Sequence, residues 1–350
     1  MFELPSFDGH ETVKWVFDPE TGLRAIIAVH STVRGPGLGG CRVWNYAHSS
    51  EALVDALRLS QGMSMKSAMA DLPFGGGKAV ILGPIPEARR AAQFQAFGRA
   101  VAALDGHYVT AEDVGAAVAD MEHVSRQTDF VTGLPSQAGA VGGNPAPFTA
   151  RGVLRGIEVV ALRVLDRSDL DGVRVAVQGT GSVGGLLSEM LAERGAKLIL
   201  ADIDMARSAD LARRLDAQVA ETDEVLTADV DILAPCALGA VITEDLVPEI
   251  RAKAIAGAAN NQLATPMVGA RLAESGITFA PDYVINAGGL VAVAAEYTGV
   301  EDLDTVLADV DAIGPRLDTL LAQATEDGTA PDRLADRLAR EKILAERARI

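Results

Sequence analysis

The chain has 350 residues, of which 49% are hydrophobic and 23% charged, and its formal net charge is −17 at pH 7. This length suffices for two domains, and the composition is that of an ordinary soluble globular protein. The acidic balance argues against a surface for nucleic acid or for an anionic membrane. The two cysteines and five histidines show no metal-ligand spacing, so we expect no disulfide framework and no metal site.

The N-terminal run MFELPSFDGHETVKW has neither the basic flank nor the apolar core of a secretory signal. No window holds 18 uninterrupted apolar residues. We therefore expect a cytoplasmic protein without a membrane span.

Strand-like and helix-like runs alternate over roughly the first 135 residues. LRAIIAVH, at 23–30, predicts a buried strand. A helix is predicted from Ser49, and a second one over 87–104, where Asp105-Gly106 ends it. The apolar face of the first helix comprises Leu53, Ala56, Leu57, Ser60 and Met63. These runs predict an α/β domain over residues 1–137.

A second series of elements follows GLPSQAGAVGGNPAP (133–147), which is dense in Gly and Pro and reads as a linker. From Gly172 onward, strands alternate with helices: VRVAVQ, KLILAD, VDILAP, KAIAGAA and ITFAP are the strands. This alternation predicts a parallel sheet covered on both faces, in a domain over 145–328. A charged amphipathic helix over 331–350 is expected to pack near the first domain.

The expected fold class is therefore α/β, with two domains separated by a cleft. The N-terminal domain would bind substrate, and the second would be a Rossmann-type parallel-sheet domain for a dinucleotide. The evidence is the GxGxxG motif between the strand VRVAVQ and a helix: Gly179-Thr180-Gly181-Ser182-Val183-Gly184. Its glycines allow a tight turn, close approach of a pyrophosphate and close helix packing.

The acid that ends the second strand of this unit predicts which dinucleotide binds. Asp202 closes KLILAD about 20 residues after the motif, where its carboxylate can accept hydrogen bonds from ribose hydroxyls. The same charge would repel a 2′-phosphate, so NAD is favoured over NADP. A redox cofactor in turn predicts a substrate with an oxidisable carbon–hydrogen bond.

Two lysines in GMSMKSAMADLPFGGGKAVI (62–81) are candidates for the chemistry, together with Asp113 in VTAEDVG. A desolvated ammonium beside a second cation releases its proton more readily and becomes a usable general base. The alternative is that Lys66 and Lys78 are surface residues at a helix end and a strand start. The triple glycine before Lys78 favours the first interpretation, because glycine often marks close approach of backbone to ligand.

Eight motifs together resemble those of the glutamate/leucine/phenylalanine/valine dehydrogenases, with the overall pattern closest to the leucine dehydrogenase branch. In order, they are GPGLGGCR, GMSMKSAMADLPFGGGKAVI, YVTAEDVG, NPAPFTARGV, VQGTGSVGG, APCALGA, AGAANNQLA and APDYVINAGG. They cover roughly residues 30 to 300. The resemblance implies reversible, NAD(P)-dependent oxidative deamination of an L-amino acid to its 2-oxo acid and ammonia.

The resemblance also implies roles for individual residues. The position of Lys66 binds the substrate carboxylate, that of Lys78 activates water for attack on an iminium, and that of Asp113 handles protons at the amino group. The other implied substrate contacts are Gly39, Gly40, Leu38, Met63, Ala111, Asn261, Leu290 and Val293. The implied cofactor contacts beyond the glycine motif and Asp202 are Ile203, Thr149, Cys236, Ala237, Asn260, Asn261 and Asn286.

Side-chain selectivity follows from the same positions. Glutamate dehydrogenases have a lysine where this sequence has Leu38 and a serine where it has Val293, so a γ-carboxylate would be buried unpaired, at a cost of several kcal/mol. Arg34 and Arg42 flank this loop without occupying the recognition position.

Among apolar substrates the pocket is a hybrid, because Ala111 matches leucine-type members and Leu290 matches phenylalanine-type members. We expect a branched aliphatic substrate: leucine, valine or isoleucine. The alternatives are a phenylalanine- or tryptophan-type dehydrogenase on the same scaffold and, more remotely, a non-catalytic NAD-binding regulatory protein. A homo-oligomer is expected, either a dimer or an octamer, with no nucleic-acid or membrane partner.

Overall fold

The computed structural model describes residues 2–135, 141–237 and 239–347. The chain forms two compact units. The described parts of Met1–Pro145, Leu290–Val306 and Ala339–Ile350 make up the first, and Ala146–Gly289 with Leu307–Leu338 make up the second. The domain boundaries 1–137 and 145–328 stay a prediction, and the contact-based division differs from them in assigning Leu290–Val306 to the first unit.

The first unit is built on a mixed sheet. Its strands are β1 (Thr12–Asp18), β2 (Leu23–Ser31), β3 (Gly37–Leu38), β4 (Cys41–Trp44), β5 (Gly75–Leu82) and β6 (Tyr108–Val109). They run in the order β1-β2-β5-β3-β6, and β4 also pairs with β5. Strand β2 is antiparallel to both β1 and β5, whereas β3 and β4 lie parallel to β5. The strand predicted at 23–30 is confirmed as β2.

Helices cover both faces of this sheet: α1 (Ser49–Met69), α2 (Glu87–Ala102) and α3 (Val118–Ser125). Neighbouring strand residues enter opposite cores, because side chains alternate across a strand. Ile26 and Val80 pack with the apolar face of α1, whereas Ile27 and Ile81 pack with Phe94 and Phe97 of α2. Both helices predicted from the sequence are present, and the second ends at Ala102 rather than at 104.

The second unit contains a parallel sheet of six strands. They are β7 (Arg174–Gln178), β8 (Lys197–Ala201), β9 (Gln218–Val219), β10 (Ile232–Pro235), β11 (Ala254–Ile255) and β12 (Thr278–Phe279). The order is β12-β11-β10-β7-β8-β9, so the chain reverses its direction of travel across the sheet between β7 and β10. Dinucleotides bind at such a reversal in open α/β sheets. All five predicted strands are present; β9 is short and exposed and carries no apolar run that could have indicated it.

The remaining helices are α4 (Ala146–Leu165), α5 (Ser182–Glu193), α6 (Met205–Leu215), α7 (Pro266–Glu274), α8 (Asp282–Ile285), α9 (Gly288–Thr298), α10 (Leu303–Asp311), α11 (Ile313–Asp327) and α12 (Pro331–Arg347). Helix α4 begins inside the predicted linker, because Pro147 is tolerated in a first helical turn. Residues 136–140 of that linker and 348–350 of the predicted C-terminal helix lie outside the described residues.

The last described turns of α12, from Ala339 on, are part of the first unit. Arg340 bonds the carboxylate of Asp8, and Lys342 bonds that of Asp71. Within the described ranges, no helix combines the length and the apolarity that crossing a bilayer requires.

Candidate active site

The three glycines before Lys78 let strand β5 pass very close to other parts of the first unit. A Cβ atom on Gly75 would lie 1.8 Å from the carbonyl oxygen of Ser31, and one on Gly77 would lie 2.4 Å from the ring of Tyr108. A Cβ on Gly76 would lie 2.2 Å from the backbone nitrogen of Ser64 in α1. The close approach inferred from the sequence is therefore present, but the approaching groups belong to the protein itself and not to a ligand.

Lys78 and Asp113 form a buried ion pair. Lys78 is 5% exposed, and its Nζ lies 3.0 Å from Oδ2 of Asp113. Burial opposes ionisation of Asp113, but the charges of Lys78 and Arg42 outweigh it and hold the pKa of that carboxyl below its usual value. The interpretation of Lys78 as an exposed residue at a strand start is thus wrong. The unit places an ammonium beside a carboxylate that remains charged.

An arginine that the sequence analysis set aside is also part of this cluster. Nε of Arg42 donates to Oδ2 of Asp113 at 3.0 Å, and its Nη1 donates to Oδ2 of Asp55 at 3.1 Å. The hydroxyl of Tyr46 donates to the same Asp55 oxygen at 2.5 Å. Burial lowers the pKa of the guanidinium, but Asp113 and Asp55 more than compensate and raise it. The nearness of Arg42 to the GPGLGG loop was visible in the sequence, but its partners were not.

Gly39 and Gly40 bring the loop after β3 against the same cluster. A Cβ on Gly39 would lie 2.0 Å from the carbonyl oxygen of Gly77 and 3.1 Å from Cγ of Met63. A Cβ on Gly40 would lie 2.9 Å from Cβ of Asp113. Lys66 follows Met63 by one turn of α1. The first unit therefore gathers Gly39, Gly40, Met63, Lys78 and Asp113, as expected for one site.

The predicted side-chain pocket residues fall into a single apolar cluster in the first unit. Leu38, Ala111, Leu290 and Val293 are all buried in it, and Met63 packs against it. The cluster also holds residues that the motifs did not single out: Phe74, Val109, Ala294, Leu72, Phe130 and Tyr297. The rings of Phe74 and Tyr297 meet edge to face, with centroids 5.9 Å apart. The two residues lie 223 positions apart in the chain, so no local sequence pattern could indicate their contact.

In the second unit, the GxGxxG motif has the geometry that a dinucleotide requires. Gly179 follows β7 with φ of +94°, and a Cβ there would lie 2.8 Å from Ala237. A Cβ on Gly184 would lie 1.9 Å from the carbonyl oxygen of Gly179, so this glycine allows α5 to pack against the turn. Among the described residues, no atom lies within 4 Å of the position a Cβ on Gly181 would take. Thr180, Ser182 and Val183 complete this turn and the start of α5.

Asp202 is held at the end of β8 mainly by neutral hydrogen-bond donors. Its Oδ2 accepts from the backbone nitrogen of Thr180 at 2.7 Å and from the Thr180 hydroxyl at 3.1 Å, and its Oδ1 accepts from the nitrogen of Asp204. Nη1 of Arg207 lies 3.7 Å from Oδ2 of Asp202. Burial raises the pKa of Asp202, but these donors and the charge of Arg207 outweigh it and leave the pKa below its usual value. The next residue, Ile203, is 93% exposed, which is unusual for a large apolar side chain.

The predicted amides lie together elsewhere in the second unit. Nδ2 of Asn286 donates to Oδ1 of Asn260 at 3.0 Å, and Ala240 donates its backbone N–H to the carbonyl of Asn261. Oδ1 of Asn286 is buried and accepts no hydrogen bond from the described residues. Thr149, in the first turn of α4, lies beside the start of α9, since a Cβ on Gly288 would lie 3.3 Å from its nitrogen.

These features fit a dinucleotide. The open position at Gly181, the start of α5 and the carboxylate of Asp202 suit a pyrophosphate followed by a ribose. The unused acceptor on Asn286 suits a donor such as a carboxamide. Cys236 and Ala237, at the end of β10, border the glycine turn.

The two cysteines do not supply a reactive thiol. Burial raises the pKa of both Cys41 and Cys236 to about 12, so both remain protonated near neutral pH. Across the described part of the chain, no three His, Cys, Asp or Glu side chains are grouped so as to hold a metal ion.

Comparison with known proteins matches both units to one family. Residues 10–130 match the family described as "Glu/Leu/Phe/Val dehydrogenase, dimerisation domain". Residues 200–329 match "Glutamate/Leucine/Phenylalanine/Valine dehydrogenase". Lys66, Lys78 and Asp113 lie in the first match, together with Leu38 and Ala111 of the apolar cluster. The second match contains Asp202, Leu290 and Val293.

Individual relatives can be aligned with almost the whole chain. Leucine dehydrogenase of Geobacillus stearothermophilus is 44% identical, covering 98% of this chain and 93% of the relative. Valine dehydrogenase of Streptomyces virginiae is 44% identical, covering 96% of this chain and 94% of the relative. The crystal structure of L-tryptophan dehydrogenase from Nostoc punctiforme is similar with a TM-score of 0.82 and 38% identity, over 97% of each chain.

Proposed function

The chain belongs to the glutamate/leucine/phenylalanine/valine dehydrogenase family, and from that premise we propose that it oxidatively deaminates an apolar L-amino acid with NAD. Membership makes it an amino acid dehydrogenase, an oxidoreductase that works with a nicotinamide cofactor. The choice of NAD, the roles of individual residues and the preferred amino acid belong to the proposal. The observation that carries it is the buried Lys78–Asp113 pair, in the same unit as an apolar cluster that includes Leu38 and Val293.

We assign substrate binding and acid–base chemistry to the first unit and cofactor binding to the second. Lys66 holds the substrate carboxylate, and Lys78 and Asp113 exchange protons with the reacting groups. In the second unit the glycine turn and α5 receive the pyrophosphate, Asp202 receives the adenosine ribose, and exposed Ile203 offers an apolar face to adenine. Asp202 supports NAD over NADP, because its charge would repel a 2′-phosphate.

The reaction consumes amino acid, NAD and water and yields 2-oxo acid, ammonium, NADH and a proton. NAD, when bound, would accept the hydride that leaves the substrate Cα. The substrate ammonium passes a proton to Asp113, so that loss of the hydride leaves an iminium. Lys78, in its neutral form, takes a proton from the water that attacks Cα, which gives a carbinolamine. Asp113 returns its proton to the carbinolamine nitrogen, and the C–N bond breaks to release ammonia, which takes up the proton lost from the hydroxyl as the 2-oxo acid forms.

Substrate selectivity is proposed to favour leucine, valine and isoleucine. The residues Leu38, Ala111, Leu290 and Val293 are all apolar and present no polar partner for a side-chain carboxylate of the substrate. A second candidate is a phenylalanine- or tryptophan-type enzyme, which the similarity to L-tryptophan dehydrogenase and the leucine at position 290 favour. One methylene in such a pocket changes kcat/KM by only about 10- to 200-fold, so several substrates are expected.

A panel of amino acids tests this function. The purified chain is mixed with NAD or NADP and with leucine, valine, isoleucine, phenylalanine, tryptophan or glutamate at alkaline pH, and the absorbance of the reduced cofactor is followed. We expect the highest kcat/KM with NAD and a branched aliphatic substrate, and negligible turnover of glutamate. A higher kcat/KM for phenylalanine or tryptophan would favour the second candidate, and no reduction with any substrate would refute the proposal.

We further propose a homo-oligomer, either a dimer or an octamer. Strand β1 lies at one edge of its sheet and pairs with β2 alone among the described strands. Trp15 and Phe17 on β1 are 56% and 71% exposed, and the matching family is described as a dimerisation domain in this region. Replacing both aromatics by glutamate should lower the mass measured by sedimentation equilibrium. An unchanged mass would contradict assembly through β1.

A further inference from the structure

Asp113 is shared between two cations. Its Oδ2 lies 3.0 Å from Nζ of Lys78 and 3.0 Å from Nε of Arg42, so both ammonium and guanidinium bond the same oxygen. The Lys78 side chain is more deeply buried than that of Arg42, with 7% against 21% of its surface exposed. The charge on this carboxylate is therefore divided between a group that can lose its proton and one that cannot.

The guanidinium is itself fixed from the far side. Its Nη1 donates to Oδ2 of Asp55, and the hydroxyl of Tyr46 donates to the same oxygen. Burial and the bond to Asp55 raise the pKa of Tyr46, so this hydroxyl stays protonated and remains a donor. We call Arg42, Asp55 and Tyr46 the arginine clamp.

The fold explains why the clamp reaches this site. Strand β4 pairs with β5 so that Arg42 lies opposite Val80, two residues beyond Lys78. Residues two apart in a strand face the same side, so Arg42 and Lys78 share the face of the sheet that α1 covers. Asp55 lies on α1 and therefore meets Arg42 on that face.

We propose that the arginine clamp is a positioning group that sets how readily Lys78 gives up its proton, an inference that rests on the function proposed above. In the wild type, the carboxylate of Asp113 interacts with Arg42 as well as with Lys78, so it stabilises the Lys78 ammonium less than it would alone. Without Arg42, the full charge would stabilise the ammonium, and Lys78 would be in its protonated, inactive form up to a higher pH. Asp55 has the opposite effect and makes the Lys78 ammonium harder to deprotonate, because it draws the Arg42 guanidinium away from Asp113.

Other titratable groups face this cluster from several elements. Neither Cys41 of β4 nor Tyr108 of β6 changes charge near neutral pH, because burial raises the pKa of both. Glu112 has its pKa raised by burial and by the charges of Glu296 and Asp113. The titratable groups around the Lys78–Asp113 pair are therefore Arg42, Tyr46, Asp55, Cys41, Tyr108 and Glu112.

The pH dependence of turnover separates this role from a structural one. We expect Arg42→Gln to move the acidic limb of kcat/KM to higher pH by about one unit or more, the usual effect of leaving one buried charge uncompensated. Asp55→Asn should move the same limb to lower pH, by a smaller amount. The substrate's own amino group titrates identically for every variant, so it cannot produce shifts of opposite sign.

Two further variants control the experiment. Arg42→Lys keeps a cation beside Asp113 and should return the limb most of the way to the wild-type position. Arg99→Gln removes a surface ion pair with Asp18 in the same unit and should leave the limb unmoved. Thermal unfolding of every variant shows whether the fold is retained. If Arg42→Gln does not fold, the downward shift with Asp55→Asn and the near-wild-type limb of Arg42→Lys decide the question.

The outcomes distinguish this inference from the proposed function. A wild-type enzyme without amino acid dehydrogenase activity would overturn the proposed function itself. An active wild type whose acidic limb stays in place in both Arg42→Gln and Asp55→Asn, or moves in the same direction in both, would overturn the clamp and leave that function standing.

Discussion

Two aspartates, one in each unit, are stabilised in different ways. Asp113 is bonded by two cations, Lys78 and Arg42. Asp202 is bonded mainly by the backbone N–H groups of Thr180 and Asp204 and by a hydroxyl. Both carboxyls have a pKa below the usual value despite burial. The charges of Lys78 and Arg42 are the main cause for Asp113, whereas for Asp202 the main cause is its hydrogen bonds, with a smaller contribution from Arg207.

These different surroundings determine what each carboxylate can do. Backbone N–H groups do not titrate, so Asp202 is a fixed acceptor suited to recognising a ligand. Lys78 can lose its proton, so the charge around Asp113 changes during a reaction cycle, which is what acid–base chemistry requires. The first unit is therefore suited to proton transfer and the second to binding, a contrast that the following predictions test.

The largest effect is expected from removing the ammonium at Asp113. Lys78→Ala should lower kcat by about 10²- to 10⁴-fold, the usual contribution of a general acid–base group, and leave NAD affinity unchanged. Steady-state kinetics and calorimetric NAD titration measure the two quantities. Lys14→Ala is the matched control, since Lys14 in the same unit donates to the carbonyl of Ala100 and takes no part in the cluster. Normal turnover by Lys78→Ala would remove the basis for assigning proton transfer to this unit.

The second unit was largely predictable from the sequence because its features are local. The strand, glycine turn, helix and Asp202 lie within about 30 residues, and their backbone geometry follows from residue types alone. The short edge strand β9 was missed, because two exposed residues give no periodic signal.

The first unit was predictable only in part, because its contacts are long-range. The motifs indicated Lys78 and Asp113, but Arg42 reaches partners 13 and 71 residues away that no spacing indicates. The triple glycine illustrates the same limit. Its tight surroundings could be inferred from composition, but only the fold shows that Ser64 and Tyr108 fill them.

Two substitutions in the glycine turn of the second unit should have different effects, one on NAD binding and the other on stability. Gly181→Ala places its methyl group in open space, so we expect unchanged thermal stability and NAD affinity at least about tenfold weaker, because the methyl group obstructs the pyrophosphate. Gly184→Ala forces a methyl group against the carbonyl of Gly179 and should destabilise the fold by about 1–3 kcal/mol. Thermal unfolding without NAD measures the stability of each variant, and the increase in unfolding temperature on adding NAD reports its NAD affinity. Equal loss of stability in the two variants would contradict the assignment of Gly181 to the ligand.

A smaller effect is expected from neutralising Asp202. Asp202→Asn keeps one acceptor oxygen but removes the charge that repels a 2′-phosphate, so the ratio of kcat/KM with NAD to that with NADP should fall about tenfold, or about 1.4 kcal/mol. The matched control is Asp204→Asn, which alters the carboxylate capping α6 two residues away. If the ratio is the same for wild type and Asp202→Asn, the carboxylate does not determine the choice of cofactor.

The smallest effect concerns acid stability, where the two aspartates should behave alike. A carboxyl whose pKa is lower in the folded than in the unfolded chain stabilises the fold above its unfolded value, near 3.9, and loses that contribution as the pH falls through the folded value. Asp113→Asn and Asp202→Asn should each be less stable than wild type by about 1–3 kcal/mol at pH 7, and this gap should narrow below about pH 4. Val109→Ala removes buried apolar volume and no titrating group. The difference between its free energy of unfolding and that of the wild type, measured with urea, should therefore stay constant across the same pH range. A difference in stability that narrows for Asp113→Asn and stays constant for Asp202→Asn would mean that only the carboxylate of Asp113 is stabilised in its charged form.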